Sequence, residues 1–239
     1  MPADLSLKNY IRISDGNASS FGGSQTWFSL TKGSRDRLLH RGGCGLVAVG
    51  DLLLYLCREK DLKDGSLPAG PFVVRDRSDY LAYLRRISRF RYPVFPYAGS
   101  FNLQIPLFVN AFLRKNHRPE RLHFVFPNTA KKRNAMIEKS LRAGYPVILI
   151  MSAHLFRPFS KKGVSFYRLN EDDSLNLSHR DVYKHFVTIT GIRYSESNGA
   201  APLYEISSWG GRYYIDSREL TRYINKESCP LTSGIFCLR

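Results

Sequence analysis

His40-Arg41-Gly42-Gly43-Cys44-Gly45-Leu46-Val47-Ala48-Val49-Gly50 is the stretch from which the rest of the chain can be read. From Gly45 to Leu56 only Asp51 is charged, so residues 43–58 are expected to form a helix that is apolar on nearly every side. Such a helix belongs at the centre of a domain. Cys44 opens it. The first-turn N–H groups and partial positive charge of a helix favour a thiolate and can donate to an oxyanion forming beside the sulfur. The glycines around Cys44 allow backbone and substrate to approach closely. The same residues also describe a small buried hydrophobe on a glycine-tolerant turn.

A cysteine nucleophile needs a base and a group that holds the base. Among six histidines, His185 heads the strand-like run His185-Phe186-Val187-Thr188-Ile189-Thr190-Gly191, where a strand can hold an imidazole rigidly. Ser207-Ser208-Trp209-Gly210 closes the next strand-like run and offers an orienting hydroxyl followed by an indole that keeps water out.

Periodicity predicts further helices over residues 78–88, 102–116, 131–143 and 217–224, with Gly144 ending the third of these and Ser100 or Asn102 capping the second. Strands are expected over residues 10–13, 26–30, 122–126, 146–151, 185–193, 203–208, 212–215 and 234–238. Residues 152–182 read as an irregular polar surface excursion. Helices come first and strands mainly afterwards, which is an α+β order. The expected organisation is a single domain over residues 1–239: a Gly/Ser-rich segment 1–37, a helical part 38–143 and a strand-rich part 144–239.

Composition sets the outer bounds. The net charge is +16 on 239 residues, while 43% hydrophobic and 23% charged residues are ordinary globular values. No apolar run approaches the ~20 residues of a membrane span. The N-terminus lacks a basic region followed by an apolar one, so a cytoplasmic location is expected. Four cysteines are too few for a disulfide scaffold, and Cys229 and Cys237 are read as two reduced thiols. Six arginines fall at 75, 77, 85, 86, 89 and 91, seven basic residues lie between 114 and 133, and Arg157, Lys161 and Lys162 form a loop cluster. Phe90, Tyr92, Phe95 and Tyr97 follow the first cluster, but no nucleic-acid-reading motif accompanies it. A solvated basic face, or one that attracts an anionic partner, is expected rather than a specific nucleic-acid site.

In order and spacing these segments resemble the papain-like cysteine peptidases, and among them the bacterial double-glycine leader peptidases of bacteriocin exporters. The resemblance rests on Gly43-Cys44-Gly45, on Ala143-Gly144-Tyr145-Pro146-Val147-Ile148, on His185 through Gly191, and on Ser207-Ser208-Trp209-Gly210. It covers residues 38–220 and implies a central buried helix carrying Cys44 packed against an antiparallel sheet. It also implies a thiol hydrolase that cleaves a peptide or amide bond without cofactor or metal, with Cys44 as nucleophile, His185 as base and Ser207 in the third position. Two departures stand out. The family carries Asn or Asp where Ser207 stands, so Ser208, Asp216 or Asp181 are alternatives for orienting His185. The family's oxyanion Gln, about six residues before the cysteine, is Leu38 here, which leaves Gln25, Asn17 or His40 to supply a side chain and Gly43 to line the cleft. Those departures also suit a non-catalytic module of the same fold whose basic surface recognises an anionic partner.

Among the remaining residues, His40 is read as a loop histidine and His179 as exposed. His117, His123 and His154 lack ligand-like spacing. Cys57 is read as core, Gly50 as a close-packing residue, and Asp51 as a buried acid paired with a nearby arginine.

Overall fold

Val147–Met151 is five apolar residues in a row, and all five are buried, as in a strand covered on both faces. It lies in the middle of the sheet in a computed structural model that describes residues 4–62, 73–90, 92–96, 99–126, 129–152, 162–194, 201–228 and 232–239. The strands are β1 (Leu5–Ser6), β2 (Arg12–Asp15), β3 (Ala18–Phe21), β4 (Leu122–Val125), β5 (Val147–Met151), β6 (Val164–Leu169), β7 (Leu175–Val182), β8 (His185–Arg193), β9 (Leu203–Ser208), β10 (Gly211–Asp216) and β11 (Gly234–Leu238). The helices are α1 (Arg35–Gly42), α2 (Cys44–Glu59), α3 (Arg77–Phe90), α4 (Gln104–Lys115), α5 (Ala130–Arg142) and α6 (Ser217–Lys226). The fold is α+β.

The chain forms two compact units. One holds the N-terminal residues through Lys8, His123–Ser207 and Arg212–Leu238. Its sheet runs β4-β11-β5-β8-β9-β10-β6-β7, with β1 added on β8. The pairings of β5 with β11 and β8, of β8 with β9, and of β6 with β7 and β10 are antiparallel. Helix α5 packs on β1, β5, β8 and β11, so it belongs with the sheet rather than with the earlier helices. Thr129 caps its start by accepting from the Lys132 amide. Gly144 ends it at φ 74°, where the Gly144 amide bonds the Leu141 carbonyl and the Tyr145 amide bonds the Ser140 carbonyl. Arg133, 1% exposed on α5, donates to the Tyr204 hydroxyl at 3.2 Å, to the Ser217 carbonyl at 3.2 Å and to Thr221.

The region expected to be irregular differs. Residues 153–161, with His154, Arg157 and Lys161, lie outside the described residues, as do Arg91, Tyr97 and Cys229. Beyond them the chain forms the β6–β7 hairpin. β7 is exposed at six of its eight positions, so no apolar alternation marks it in sequence, and backbone pairing with β6 makes it a strand.

The second unit holds Asn9–Leu122, Ser208–Gly211 and Arg239. Helix α2 packs against α3 and α4 and buries eleven of its sixteen residues. β2 and β3 form a separate hairpin that packs on α3. Gly50 meets α3 closely, since a Cβ there would lie 2.5 Å from the Leu84 side chain. Gly45 meets Tyr92 and Ser100, where a Cβ would lie 2.7 Å from both Cβ and Oγ of Ser100. Ser100, expected to cap α4, is buried at this contact instead, and Leu103 holds the cap position. Gly45→Val should therefore lower stability by about 1–3 kcal/mol through overpacking. Thermal unfolding reads this directly, and a Tm equal to wild type would remove the packing argument.

Candidate active site

Cys44 is the first residue of α2 and half-buried. The segment before it is a helix, not the expected loop. Ser34 caps α1 by accepting from the Arg37 amide, and Asp36 places a negative charge in the first turn, where the helix dipole favours it. Gly43, with φ −84° and ψ 5°, separates α1 from α2. Its amide already bonds the Leu39 carbonyl at 2.8 Å, and a Cβ there would lie 2.2 Å from that oxygen. Gly43 thus fits the helix junction, and its N–H is engaged within the chain.

Gln25 lies in a 3-10 turn (Gln25–Trp27), where a strand was expected, capped by Ser24. This turn packs on α1, and His40, on α1 rather than in a loop, holds the Phe28 carbonyl at 2.8 Å through Nδ1. Gln25 therefore sits against the helix that leads into Cys44.

Asp51 stands seven residues after Cys44, on the same helix face two turns along. It is 1% exposed, and its partners are not the arginine expected from sequence. Its carboxylate accepts from the Tyr80 hydroxyl at 2.6 Å, the Tyr10 hydroxyl at 3.2 Å and the Gly23 amide at 3.0 Å. Burial pushes its pKa up to about 6 against the pull of these donors. The Gly23 carbonyl in turn accepts the Gly210 amide at 3.0 Å, and the Gly210 carbonyl accepts the Phe21 amide at 2.9 Å. Trp209 at φ 48° and Gly210 at φ 74° form the turn between β9 and β10. A Cβ on Gly210 would lie 3.0 Å from the Trp27 ring. The Trp209-Gly210 turn and the Gln25 segment are thus brought together, and Asp51 ties both to the cysteine-bearing helix.

In the sheet unit, His185 is the first residue of β8, 6% exposed and directly opposite Met151 on β5. Its ring centroid lies 6.4 Å from that of Phe166. Burial pushes its pKa down to about 3, with His179 adding a smaller repulsion, so the imidazole is neutral at physiological pH. Ser207 pairs with Thr188, so these two side chains share a sheet face. His185 is three residues from Thr188 and points to the other face. Along β9, Ser208 alternates with Ser207 and so does not share Ser207's face. Asp181 accepts the Gly163 amide at 3.1 Å. Asp216 caps α6 and pairs with Arg218 at 2.8 Å. Both acids therefore have structural partners. Glu205, on the Ser207 face, is a buried acid that sequence reading passed over. It accepts from Thr190 at 2.8 Å and Ser6 at 3.0 Å, with Arg212 at 3.6 Å.

The His185 environment has a consequence for stability. Unfolded, the imidazole takes up a proton near pH 6.5, whereas folded it does so only near pH 3. Stability from the neutral buried ring is present above pH 6.5 and is lost as pH falls toward 3. Between pH 7 and pH 4 wild type should lose about 3 kcal/mol more than His185→Phe. Urea unfolding at the two pH values measures this, and parallel profiles for the two proteins would refute it.

No protein-family model and no curated protein sequence matches the chain. Among solved structures, the cysteine protease Amb a 11, a ragweed pollen allergen, in its proform aligns over 99% of this chain at 10% identity and a TM-score of 0.39. A second structure of that proform gives 99%, 12% and 0.36. This chain spans 65% and 66% of the length of the two proform chains. Bromelain from Ananas comosus, in complex with the E64 inhibitor, aligns over 100% of this chain and 99% of its own at 12% identity and a TM-score of 0.33. At these scores the likeness carries no argument for fold or activity, and the functional reading rests on the residues of this chain.

Cys57 is half-buried near the end of α2, not in the core as expected. Among the described residues no cluster of three or more His, Cys, Asp or Glu could hold a metal, and no helix is long and apolar enough to cross a membrane.

Proposed function

We propose that the chain is a papain-like thiol hydrolase, a cysteine peptidase acting on a peptide or amide bond, with Cys44 as nucleophile and His185 as base. The observation that carries this reading is the half-buried Cys44 at the first position of a buried helix, where helix partial charge favours thiolate. His185 is held rigidly at a strand start and is neutral, as a general base must be, while its burial lowers its basicity and counts against the assignment. Gln25 and the backbone at Cys44 are assigned to the oxyanion, Trp209 to shielding, and Ser208 to orienting the imidazole in place of Ser207, whose side chain lies on the other sheet face. The order of the four motifs favours the bacterial double-glycine leader peptidase branch, which would cleave after small residues. Incubation with a proteome-derived peptide mixture should generate new termini with wild type and none with Cys44→Ala. Equal products from both would end the peptidase reading.

A second reading is a non-catalytic module of the same fold that binds an anionic partner. The engaged Gly43 amide, the structural partners of Asp181 and Asp216, and the Ser207 side chain on the face away from His185 favour it. It predicts retention on heparin that weakens steeply with salt, together with no turnover.

A further inference from the structure

The second unit holds several buried tyrosines, and one differs from three others. Tyr10 and Tyr80 donate to Asp51, and Tyr83 donates to the Gly50 carbonyl at 3.3 Å. Tyr92 is 0% exposed and its hydroxyl has no hydrogen-bond partner, and the same holds for the hydroxyl of Ser100, 7% exposed. A buried hydroxyl left unpaired is costly, and such groups are rare in native proteins. Both lie at one place, the first turn of α2. From a Cβ position on Gly45, the residue after Cys44, the Tyr92 oxygen is 3.2 Å away and the Ser100 oxygen 2.7 Å.

Neither group is there by looseness of the chain. The Tyr92 ring packs edge-on against Phe108 of α4, with centroids 5.5 Å apart, and its amide bonds the Ile87 carbonyl. Ser100 follows Gly99, which pairs with Phe95 through two backbone hydrogen bonds and sits close against Gly42. Two hydroxyls are thus fixed beside the cysteine-bearing turn with no acceptor of their own.

We infer that Tyr92 and Ser100 are positioning residues for Cys44, their two unpaired O–H groups supplying dipoles that favour the thiolate. A donor with no acceptor turns toward negative charge when one forms nearby, and hydrogen bonding or dipole interaction with the charged form lowers its pKa. Burial raises the Tyr92 hydroxyl pKa most, and negative charge at Cys44 raises it further. The inference rests on the reading of Cys44 as a nucleophile.

The test is the rate of Cys44 alkylation by iodoacetamide from pH 5 to pH 10, resolved by peptide mass spectrometry, in wild type, Tyr92→Phe and Ser100→Ala. Thermal unfolding of each protein accompanies it. In Tyr92→Phe the midpoint should rise by about one pH unit, with about a tenfold slower rate at pH 6. Ser100→Ala should shift the same way by less. Neither variant should melt below wild type, because each removes an unpaired buried hydroxyl. Unchanged midpoints in both variants, with their folds intact, overturn the inference. A wild-type midpoint near the ordinary thiol value of about 8.5 overturns the nucleophile reading instead, and a rise in Tyr92→Phe from that value would still uphold the coupling.

Discussion

Asp51→Ala should destabilise the protein by about 3 kcal/mol at neutral pH, among the largest effects of a single change in this chain. The substitution leaves the Tyr80 and Tyr10 hydroxyls and the Gly23 amide without their acceptor, all in a buried position. Each orphaned donor costs about 1–3 kcal/mol, and relief from burying a carboxylate offsets part of that. Asp51→Asn keeps an acceptor oxygen and removes the charge, so it should cost less and should also change the pH dependence. The folded carboxyl titrates near 6 against an ordinary 3.8. With the folded value raised, its contribution is fully present below pH 3.8 and is lost as pH rises through 6. Wild type should therefore gain about 3 kcal/mol relative to Asp51→Asn on going from pH 7 to below pH 3.8. This is the opposite sign to the His185 effect, so the two variants separate the groups. Urea unfolding that shows no difference in slope between wild type and Asp51→Asn would remove Asp51 from the account.

Cys44→Ala should abolish turnover, and His185→Ala should reduce it by about 10³–10⁴-fold while leaving the fold in place. Without His185 the thiol proton has no assigned acceptor as the carbonyl is attacked. The pH profile carries a sharper expectation. Burial keeps the His185 imidazole neutral down to about pH 3. The acid limb of kcat/KM, which reports the free enzyme, should therefore not sit at the ordinary histidine value near 6.5. A limb at 6.5 that disappears in His185→Gln would mean that the imidazole is solvated rather than buried.

The residues that decided the fold were legible for simple reasons. Val147–Met151 is uniformly apolar, Gly144 stops a helix at a positive φ, and His185–Arg193 carries the apolar run of a covered strand. What escaped had a weak local signature. Helix α1 buries only Leu39, and the glycines at 42 and 43 masked the Ser34 cap and the first-turn Asp36. β7 presents polar residues on both faces. Cys44 and His185 could be placed at element starts from sequence, because helix and strand starts have local signals. Asp51's partners could not, because Tyr10, Gly23 and Tyr80 lie 28 to 41 residues away and only packing brings them together. Tyr92 and Ser100 were hidden for the same reason, and Tyr92 stood out in sequence only as part of an aromatic run beside arginines.

Cys44 as an activated nucleophile served by His185 is tested most directly by its alkylation with iodoacetamide at pH 6. Wild-type Cys44 should react at least about tenfold faster than a peptide cysteine of ordinary pKa. His185→Ala should keep that advantage, because the buried imidazole is neutral at pH 6 and holds no thiol proton, yet should lose turnover. Equal rates for Cys44 and the peptide cysteine, or full turnover in His185→Ala, would contradict the account.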